Sequence, residues 1–453
     1  MPDYFSNSRR TFLKTTAAAT LIAPLGYAQE EKKSGANDNI QIAVIGIGGQ
    51  GTSDLNTALQ VPGVKMVAAA DVYDGRLTRA KESYGQDVFT SRDYREVLAR
   101  KEVDAVIIAT PDHWHSKIAV DAMEAGKDVY CEKPMVQKIS QGKSVIEAQK
   151  RTGRIIQVGS QRVSSIVYLK AKELIRSGAI GELNMIEGWL DRNSAIGAWQ
   201  YSIPPDASPQ TIDWDRFLDG APKRPFEPIR LFRWRNYRDY GTGIPGDLFV
   251  HQFSGIHVVT GALGPLRVQA SGALRYWKDG RDVPDIMFGL YDYPDFNINL
   301  RVNFESGAAG TAEGSGFRFI GTEGVLQLGS AGITVTRSPR PKEPGYTINT
   351  FPKAVQQQFL ADYRQKYPGQ PDQIRSEQEE RYSPPRNYNE HLDHFRNFFE
   401  AVRTRKPVVE DAVFGFRAAG PALLTNDAFF ENKIIHWDPE KMELRQQAEG
   451  GRQ

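Results

Sequence analysis

Two different patterns of apolar and polar residues divide the chain near Gly181. Before that point, short β-branched runs predict strands at 40–45, 64–70 and 105–109, with helices between them at 52–60 and 116–125. Apolar strands without alternation are typical of a parallel sheet that is covered on both faces. The N-terminal part is therefore predicted to be an α/β unit built on a parallel sheet.

Beyond Gly181, apolar and polar residues alternate, as in strands that bury one face. Such strands are predicted at 182–190, 268–277, 285–293, 297–305, 310–319, 321–328 and 332–337. Because few helices separate them, we expect an α+β domain with an open, mainly antiparallel sheet. Helices are predicted at 388–403 and 414–430, a partly helical insertion at 354–382 and a polar tail at 443–453.

The first 28 residues have the features of an export signal in the right order. Arg9 and Arg10 form a twin-arginine pair, an alanine-rich apolar run follows at 15–27, and small residues precede a cleavage point after Ala28. Twin-arginine signals are addresses that a receptor reads, and they are not membrane anchors. We therefore expect a periplasmic or exported protein, and the resemblance to such substrates implies export in the folded state.

Length and composition fit an ordinary two-domain protein. A chain of 453 residues is too long for one core, so a linker is predicted at 29–38 and domains at 39–160 and 161–442. The formal net charge of +2 gives no basic patch, so nucleic acid is not an expected partner. No apolar stretch is long enough to span a bilayer. The single cysteine, Cys131, is expected to be a buried small residue.

A glycine-rich turn follows the first predicted strand directly. Its pattern, G-x-G-x-x-G, is formed by Gly46, Ile47, Gly48, Gly49, Gln50 and Gly51. Between a strand and a helix, this pattern is typical of a Rossmann site that binds a dinucleotide pyrophosphate at the helix N-terminus. Asp71 follows Gly51 by 20 residues and ends the second strand. Its carboxylate would bind the ribose hydroxyls of NAD and repel the 2′-phosphate of NADP, which makes NADP the less favoured cofactor.

Two further motifs follow later strands of this domain. The pattern T-P-x-H-x-H begins at Thr110, and the pattern A-G-K-x-V-x-x-E-K-P ends at Pro134. Together they resemble the Gfo/Idh/MocA oxidoreductase family, tightly over 40–161 and loosely beyond. The resemblance implies a Rossmann domain, an α+β domain with an open sheet, and oxidation or reduction of sugars and polyols.

The resemblance also implies roles for matching residues. Those expected around the nicotinamide half of the cofactor are Thr110, Pro111, His113, His115, Glu132, Lys133 and Gln161. Lys133 would also lie between nicotinamide and substrate, and Arg162 would reach the substrate. The strand pattern gives the same expectation, because ligands bind beyond the carboxyl ends of parallel strands and Thr110 and Lys133 lie just past such ends.

A motif in the second domain completes the expected chemistry. The segment from Gly241 to His251 resembles the family pattern G-G-G-x-x-x-D-x-G-x-H, in which the acid and the histidine face the substrate. Asp247 and His251 are four residues apart, which predicts that they share one face of a helix. Phe249 replaces the usual glycine and Ser254 replaces a common aspartate, and these departures leave the exact sugar open.

Aromatic and basic residues are frequent in the preceding segment. Sugar sites stack the ring on an aromatic side chain and bind its hydroxyls with polar groups. The substrate-binding candidates are Arg162, Arg192, Asn193, Trp199, Tyr237 and His251, and further pocket candidates are Trp189, Arg233, Trp234 and Arg235. The alternative is that the aromatic residues belong to the core.

These patterns predict an NAD-dependent oxidoreductase acting on a sugar, polyol or sugar derivative. His251 would be the general base, Asp247 would orient it, and Lys133 would donate hydrogen bonds to the reacting oxygen. Two alternatives stay open: a glycosidase that uses tightly bound NAD for transient oxidation, and a non-catalytic sugar-binding protein that contains NAD. No metal is expected, because no cysteine or acidic cluster completes a site with the two histidines of the first motif. A homo-oligomer through the C-terminal sheet is also expected.

Overall fold

The computed structural model describes residues 39–311, 314–329, 332–338, 347–367 and 378–445. The predicted export signal and linker lie outside the described residues, as do part of the 354–382 insertion and most of the predicted tail. Within the described residues, no helix combines the length and the apolar character needed to cross a membrane.

Six parallel strands form the first sheet, in the order β3-β2-β1-β4-β5-β6. They are β1 (Ile40–Ile45), β2 (Val64–Ala70), β3 (Phe89–Ser91), β4 (Ala105–Ile108), β5 (Asp128–Glu132) and β6 (Ile156–Gly159). The connecting helices are α1 (Gly49–Ala58), α2 (Asp74–Tyr84), α3 (Tyr94–Leu98), α4 (Asp112–Glu124) and α5 (Gly142–Thr152). This strand order is that of a Rossmann fold, which confirms the predicted α/β class.

The predicted strands β1 and β2 have the bounds that the sequence pattern gave. Helices α1 and α4 begin earlier than predicted, because the glycine turn and the T-P-x-H-x-H motif form their first turns. Strand β3 has only three residues, too few to produce a recognisable pattern, and it was not predicted.

Ten strands form the second sheet, in the order β14-β13-β12-β11-β7-β10-β9-β8-β15-β16. They are β7 (Leu183–Leu190), β8 (Arg267–Ala273), β9 (Ile286–Asp292), β10 (Asn297–Asn303), β11 (Ser315–Gly321), β12 (Gly324–Gly329), β13 (Gly332–Arg337), β14 (Gln378–Tyr382), β15 (Ile435–Asp438) and β16 (Glu443–Leu444). Strands β7 and β10 pair in parallel and the other neighbours pair antiparallel. The mainly antiparallel sheet is confirmed.

The helices of the C-terminal part follow. They are α6 (Ile166–Arg176), α7 (Trp214–Leu218), α8 (Pro228–Phe232), α9 (Val250–Thr260), α10 (Lys353–Lys366), α11 (Glu390–Thr404) and α12 (Ala412–Phe430). A π-helical turn, Pro245–Phe249, leads into α9, and short 3₁₀ turns lie at Ile139–Gln141, Gln161–Ser164, Trp234–Asn236 and Ile348–Thr350. Helix α10 confirms a helix in the insertion, and it has no buried residue.

One face of the large sheet carries a helical layer. Tyr168 of α6, Phe253 of α9 and Leu424 of α12 belong to the same apolar core as sheet residues such as Leu300 and Phe317. The opposite face, which we call the open face, carries exposed side chains such as Phe288 and Leu290. Among the described strands, the sheet has two edges and is not closed on itself, as predicted. Strand β16 lies at one edge of the sheet, so Glu443 and Leu444, which the sequence placed in the polar tail, pair with β15 instead.

Helix α11 belongs to the predicted second domain by sequence, but it packs against the first domain. Its residues Phe395, Phe398 and Phe399 are fully buried and share a core with strands β1 and β4 of the first sheet. The ring of Phe395 stacks on Tyr130 of β5, with 4.3 Å between ring centroids. A helix from the end of the chain therefore completes the core of the Rossmann domain.

A segment that no periodic pattern predicted covers the Rossmann domain beside the glycine turn. We call residues 201–240, which include α7 and α8, the cap. Its apolar side chains form a separate core with Tyr73, which lies between β2 and α2. The cap residues in this core are Ile212, Phe217, Leu218, Leu231, Phe232, Tyr237 and Tyr240. The cap is thus held to the first domain by apolar packing of its own.

Candidate active site

The glycine turn after β1 is packed so closely that it has no space for side chains at Gly46 and Gly51. Gly46 has φ +86°, and a Cβ there would lie 2.7 Å from the backbone of Ala109 and Thr110. A Cβ on Gly51 would lie 2.1 Å from the Gly46 carbonyl oxygen. Helix α1 begins at Gly49 after Gly48, which has no side chain to cap the helix. The free N–H groups of the first turn and the helix dipole therefore suit a pyrophosphate.

A cavity of about 870 Å³ opens in front of this turn. Predicted cofactor residues that line it are Gly46, Gly48, Gly49, Gln50, Asp71, Thr110 and Pro111. The cap supplies the opposite wall with residues that include Phe217, Phe232, Trp234 and Arg235. The hydroxyl of Thr110 is buried and has no hydrogen-bond partner among the described residues, so it is free to bind a ligand. The residues present therefore fit a dinucleotide.

The end of the cavity next to Asp71 is charged. The Asp71 side chain is almost fully buried, and Arg76 of α2 lies 3.3 Å from its carboxylate. The same guanidinium lies 5.4 Å from the ring centroid of Phe232 in the cap. Arg76 is therefore partly neutralised by Asp71 and is not a free anchor for a 2′-phosphate.

Hydrogen bonds fasten the cap to the Rossmann domain. The Tyr73 hydroxyl donates to Asp206 at 2.6 Å, and the Asp74 backbone N–H donates to the Thr211 carbonyl at 2.9 Å. The Trp114 indole N–H donates to the Phe217 carbonyl, and His113 Nε2 lies 2.8 Å from the same oxygen. His113 was predicted to contact the cofactor, but its ring is turned to the cap, and burial lowers its pKa to about 4.

The ring of His115 also connects two loops of the Rossmann domain. Its Nδ1 lies 2.7 Å from the Pro134 carbonyl oxygen and its Nε2 lies 2.9 Å from that of Thr110. Burial lowers the pKa of this ring to about 4, so it is neutral and donates to one of the two oxygens at a time. His115 thus connects the loop after β4 to the loop after β5, and its predicted contact with the nicotinamide stays a prediction.

A buried group of charges lies where the predicted catalytic motifs meet. Lys133 follows the last residue of β5, and its Nζ donates to the Asp247 carbonyl at 2.8 Å and to Asp247 Oδ1 at 3.0 Å. Arg235 Nε donates to the same carboxylate oxygen at 3.0 Å. Burial alone would raise the pKa of Asp247, but Lys133, Arg235 and Arg192 outweigh it and hold that pKa far below its ordinary value. Asp247 is thus a permanent anion.

His251 lies near this group without binding Asp247. Asp247 is in the π-helical turn and His251 is in the first turn of α9, so the predicted spacing of a regular α-helix does not apply. The carboxylate is occupied by two cations, and His251 Nδ1 has no partner among the described residues. Asp247 therefore forms no hydrogen bond with His251 by which it could orient the ring. Burial and the charges of Lys133 and Arg162 lower the pKa of His251 well below its ordinary value, so the ring is neutral.

The substrate-binding candidates separate into two groups. The positive charges of Arg162 and Arg192 both lower the pKa of His251, and their contact with a substrate stays a prediction. Trp199 is fully buried against Phe304 at 4.7 Å, and Tyr237 is buried in the cap under Arg230. These two aromatic residues are part of the core, which was the alternative to a role in binding sugar.

The remaining predicted residues lie in different environments. Asn193 is exposed, and its backbone forms an isolated antiparallel β-bridge with Glu305. Glu132 and Gln161 are buried, and Gln161 Nε2 donates to Glu132 Oε1 at 2.9 Å and to the Tyr130 hydroxyl at 3.2 Å. Ile47 is buried behind the glycine turn, in the core of the first sheet.

Sequence reasoning gave Arg235 no specific role and did not single out Asp112, and both are charged residues at the site. Arg235 was noted only as one of several residues in an aromatic and basic segment, and its partner Asp247 is 12 positions away. Asp112 begins α4 and accepts a hydrogen bond from the Thr242 hydroxyl at 2.6 Å. Burial raises the pKa of Asp112 to about 7, although the hydrogen bond from Thr242 acts to lower it. Its position in the first turn of a helix was the available signal. No group of three or more potential ligands for a metal ion occurs in the described ranges.

Replacing Asp71 tests its role in cofactor choice. Asp71→Ser should reduce the preference for NAD over NADP at least about tenfold, because it removes a buried charge and frees Arg76 for a 2′-phosphate. Titration of both dinucleotides against the variant measures this ratio. Arg79→Ser is the matched control, since Arg79 is exposed and pairs with Glu82. An unchanged ratio in Asp71→Ser would show that the carboxylate does not select the cofactor.

Comparison with known proteins places this site in a family. Over 164 residues the chain is 34% identical to an inositol 2-dehydrogenase of Rubrobacter xylanophilus, which covers 36% of this chain and 46% of that protein. Over 205 residues it is 29% identical to a glycosyl hydrolase family 109 protein of Shewanella baltica, 39% of this chain and 44% of that protein. The chain thus spans less than half the length of these relatives.

Solved structures match over most of the chain. A levoglucosan dehydrogenase in complex with NADH and levoglucosan superposes with a TM-score of 0.62 and 17% identity, over 88% of this chain and 99% of that one. At this identity the match shows the fold. Residues 40–160 match the NAD-binding Rossmann fold of the oxidoreductase family GFO_IDH_MocA, and residues 172–425 match its C-terminal alpha/beta domain. Because the two matches span more than half of its length, the chain belongs to the Gfo/Idh/MocA family of oxidoreductases.

Proposed function

We propose that this protein oxidises a hydroxyl group of a sugar, polyol or sugar derivative with NAD. The observation that carries the proposal is the buried group of Lys133, Asp247 and Arg235, with a neutral His251 nearby; Arg235 of this group also lines the cofactor cavity. NAD bound in this cavity supplies the hydride acceptor. The inositol 2-dehydrogenase relative supports the substrate class.

Lys133 is suited to bind the oxygen that becomes the carbonyl. Its ammonium has three N–H donors, and two of them are used by Asp247, which leaves one for the substrate. The negative charge of Asp247 holds the Lys133 ammonium in place in a site that excludes most water. A donor held in place in this way stabilises charge as it develops on the substrate oxygen.

His251 is suited to remove the hydroxyl proton. A general base must be unprotonated before the reaction, and burial together with the surrounding cations keeps this ring neutral. Asp247 is the negative charge that raises the pKa of His251, and it does so without a hydrogen bond. Asp247 therefore acts on both partners: it holds Lys133 directly and stabilises the protonated histidine through space.

Replacing the base tests this chemistry. His251→Ala should lower kcat about 10²–10⁴-fold and leave NAD affinity nearly unchanged, because the ring belongs to the second domain. A sugar and polyol panel followed by absorbance of reduced nicotinamide measures turnover. In the wild type, the acidic limb of kcat/KM should lie well below pH 6.5, because the pKa of His251 is lowered and the base stays neutral as pH falls.

The control for this experiment is His436→Ala. His436 lies in β15, away from the catalytic group, so its replacement should leave turnover unchanged. Near-normal turnover in His251→Ala would place the base elsewhere. Full loss of NAD affinity in that variant would show that the histidine belongs to the cofactor site.

A glycosidase with retained NAD is the second candidate function. The cap encloses the cofactor cavity on the side opposite the glycine turn, which favours a cofactor that stays bound. The glycosyl hydrolase family 109 relative is consistent with this alternative. Glycoside cleavage without accumulation of reduced nicotinamide would identify it. A non-catalytic sugar-binding protein would give neither product, and the charged residues at the site argue against it.

We also propose that the protein is exported to the periplasm through the twin-arginine route. The support is the sequence pattern of Arg9 and Arg10, the apolar run and the cleavage point after Ala28. The cap gives a further reason for export after folding. A dinucleotide held between the cap and the Rossmann domain is best loaded in the cytoplasm, before the folded protein crosses the membrane.

Cell fractionation tests export and loading together. The periplasmic protein should contain close to one dinucleotide per chain when purified without added cofactor, because the cap slows its release. Exchange of Arg9 and Arg10 for lysines should remove the periplasmic pool and leave the cytoplasmic protein folded. Undiminished periplasmic protein in that variant would exclude this route, and cofactor-free periplasmic protein would exclude loading before export.

The open face of the large sheet is the proposed oligomer interface, with a second copy of the chain as the partner. Met185 of β7 and Phe288 and Leu290 of β9 are exposed there. On the same face, Arg301 pairs across strands with both Phe288 and Trp189, and its guanidinium lies 5.8 Å from the Trp189 ring centroid. Adjoining apolar side chains on an open sheet are typical of an interface.

Leu290→Arg tests this interface. The side chain of Leu290 is half exposed, so a charge there should not unfold the monomer but should be buried unpaired in an oligomer. Light scattering after size exclusion should show a lower molar mass for the variant than for the wild type. Val355→Arg is the matched control, because Val355 of α10 is equally exposed but lies outside the sheet. A monomeric wild type, or equal masses for wild type and Leu290→Arg, would refute the proposed interface.

A further inference from the structure

A pair of buried carboxyl groups lies under the cofactor turn. Asp54 on α1 is 1% exposed and Glu132 at the end of β5 is 4% exposed. Asp54 Oδ1 accepts a hydrogen bond from Gln50 Nε2 at 2.9 Å. Asp54 Oδ2 is buried without a donor among the described residues, and the two carboxyl groups are within hydrogen-bonding reach of each other. Two carboxylates cannot bind each other, so one of them must hold a proton.

The surroundings show which carboxyl is the anion. Glu132 Oε1 accepts from Gln161 Nε2 at 2.9 Å, and Lys133, through its charge and its backbone N–H, lowers the pKa of the carboxyl against the effect of burial. Gly159 packs against it so closely that a Cβ there would lie 2.5 Å from Glu132 Oε1. Glu132 is therefore fixed by donors and lies next to the Lys133 charge. Asp54 has one donor on Oδ1 and an oxygen, Oδ2, that can carry the proton.

We propose that Asp54 is protonated at neutral pH and donates a hydrogen bond from Oδ2 to the Glu132 carboxylate, as a positioning residue for Lys133. The result is a chain of hydrogen bonds that begins at the exposed Gln50 of the glycine turn and continues through the buried Asp54 to Glu132 and Gln161 at the end of strand β5. Asp54 touches neither the cofactor cavity nor the reacting atoms. Its effect on the reaction is exerted through Glu132 and the adjoining backbone of Lys133.

Charge explains why the proton is needed. The titratable and charged groups that face the pair are Lys133, Glu410, Tyr130 and Arg235. Burial raises the pKa of Asp54 well above its ordinary value and that of Glu132 to about 7, so the pair holds its proton at neutral pH. Loss of the proton at high pH would place two anions together and draw the Lys133 charge towards them, away from Asp247.

Infrared spectroscopy tests the proton directly and needs no substrate. The wild-type protein at neutral pH should show the C=O stretch of a protonated carboxyl that disappears in Asp54→Asn. Asp112 and Glu410 are also buried acids with raised pKa, so the measurement is the difference between wild type and variant. Asp362→Asn, at an exposed position of α10, is the control and should leave the spectrum unchanged. An unchanged spectrum in Asp54→Asn, or loss of that band only in Glu132→Gln, would overturn the proposal.

Kinetics test the positioning role, and this arm rests on the proposed oxidation. Asp54→Asn keeps an N–H donor for Glu132 but cannot ionise, so turnover at pH 7 should stay near wild type and the alkaline limb due to Asp54 should vanish. Asp54→Leu removes the donor and should lower kcat about tenfold with little change in substrate KM. Equal pH profiles for wild type and Asp54→Asn would overturn the role. Loss of the infrared band in Asp54→Asn without turnover on any sugar would leave the shared proton established and would count against the proposed function instead.

Discussion

The Asp247 carboxylate is the interaction on which the site depends. It lies in the second domain, is almost fully buried, and binds Lys133 of the Rossmann domain and Arg235 of the cap. A buried carboxylate with these partners cannot be neutralised without leaving two cations unpaired, which costs about 3–5 kcal/mol. One charge therefore fixes three segments that are far apart in the sequence. It also fixes the position of Lys133 and raises the pKa of His251, so domain geometry and acid–base chemistry have the same origin.

The histidines show how position changes the use of one residue type. His113 and His115 are neutral because burial removes water; His113 places Nε2 against the Phe217 carbonyl oxygen of the cap, and His115 places both ring nitrogens against carbonyl oxygens of neighbouring loops. His251 is neutral for a second reason as well, the nearby positive charges, and its Nδ1 is without a partner in the described structure. Two rings thus stabilise the walls of the cavity, and the third is left free for chemistry.

Much of the fold could be predicted because its determinants are local. The glycines and Asp71 lie at the ends of strands β1 and β2, whose apolar runs are continuous, so motif and element supported each other. The bond from Lys133 to Asp247 joins residues 114 positions apart, and no local pattern indicates it. The cap has short helices without periodicity, and the π-helical turn broke the regular spacing assumed for Asp247 and His251. Asp54 was missed because a buried acid inside a helix resembles an exposed one until the packing is known.

Helix α11 gives the chain an order of folding. Phe395 stacks on Tyr130, so the core of the first domain contains a contact between residues separated by more than half of the chain. Contacts of this kind form late, because the loop between them must close first. During synthesis, the Rossmann sheet cannot acquire its last buried layer until α11 has left the ribosome, after most of the second domain has been made. The core that supports the dinucleotide site is therefore completed only near the end of translation, and a chaperone that binds the nascent chain would meet an unfinished β-sheet for most of that time.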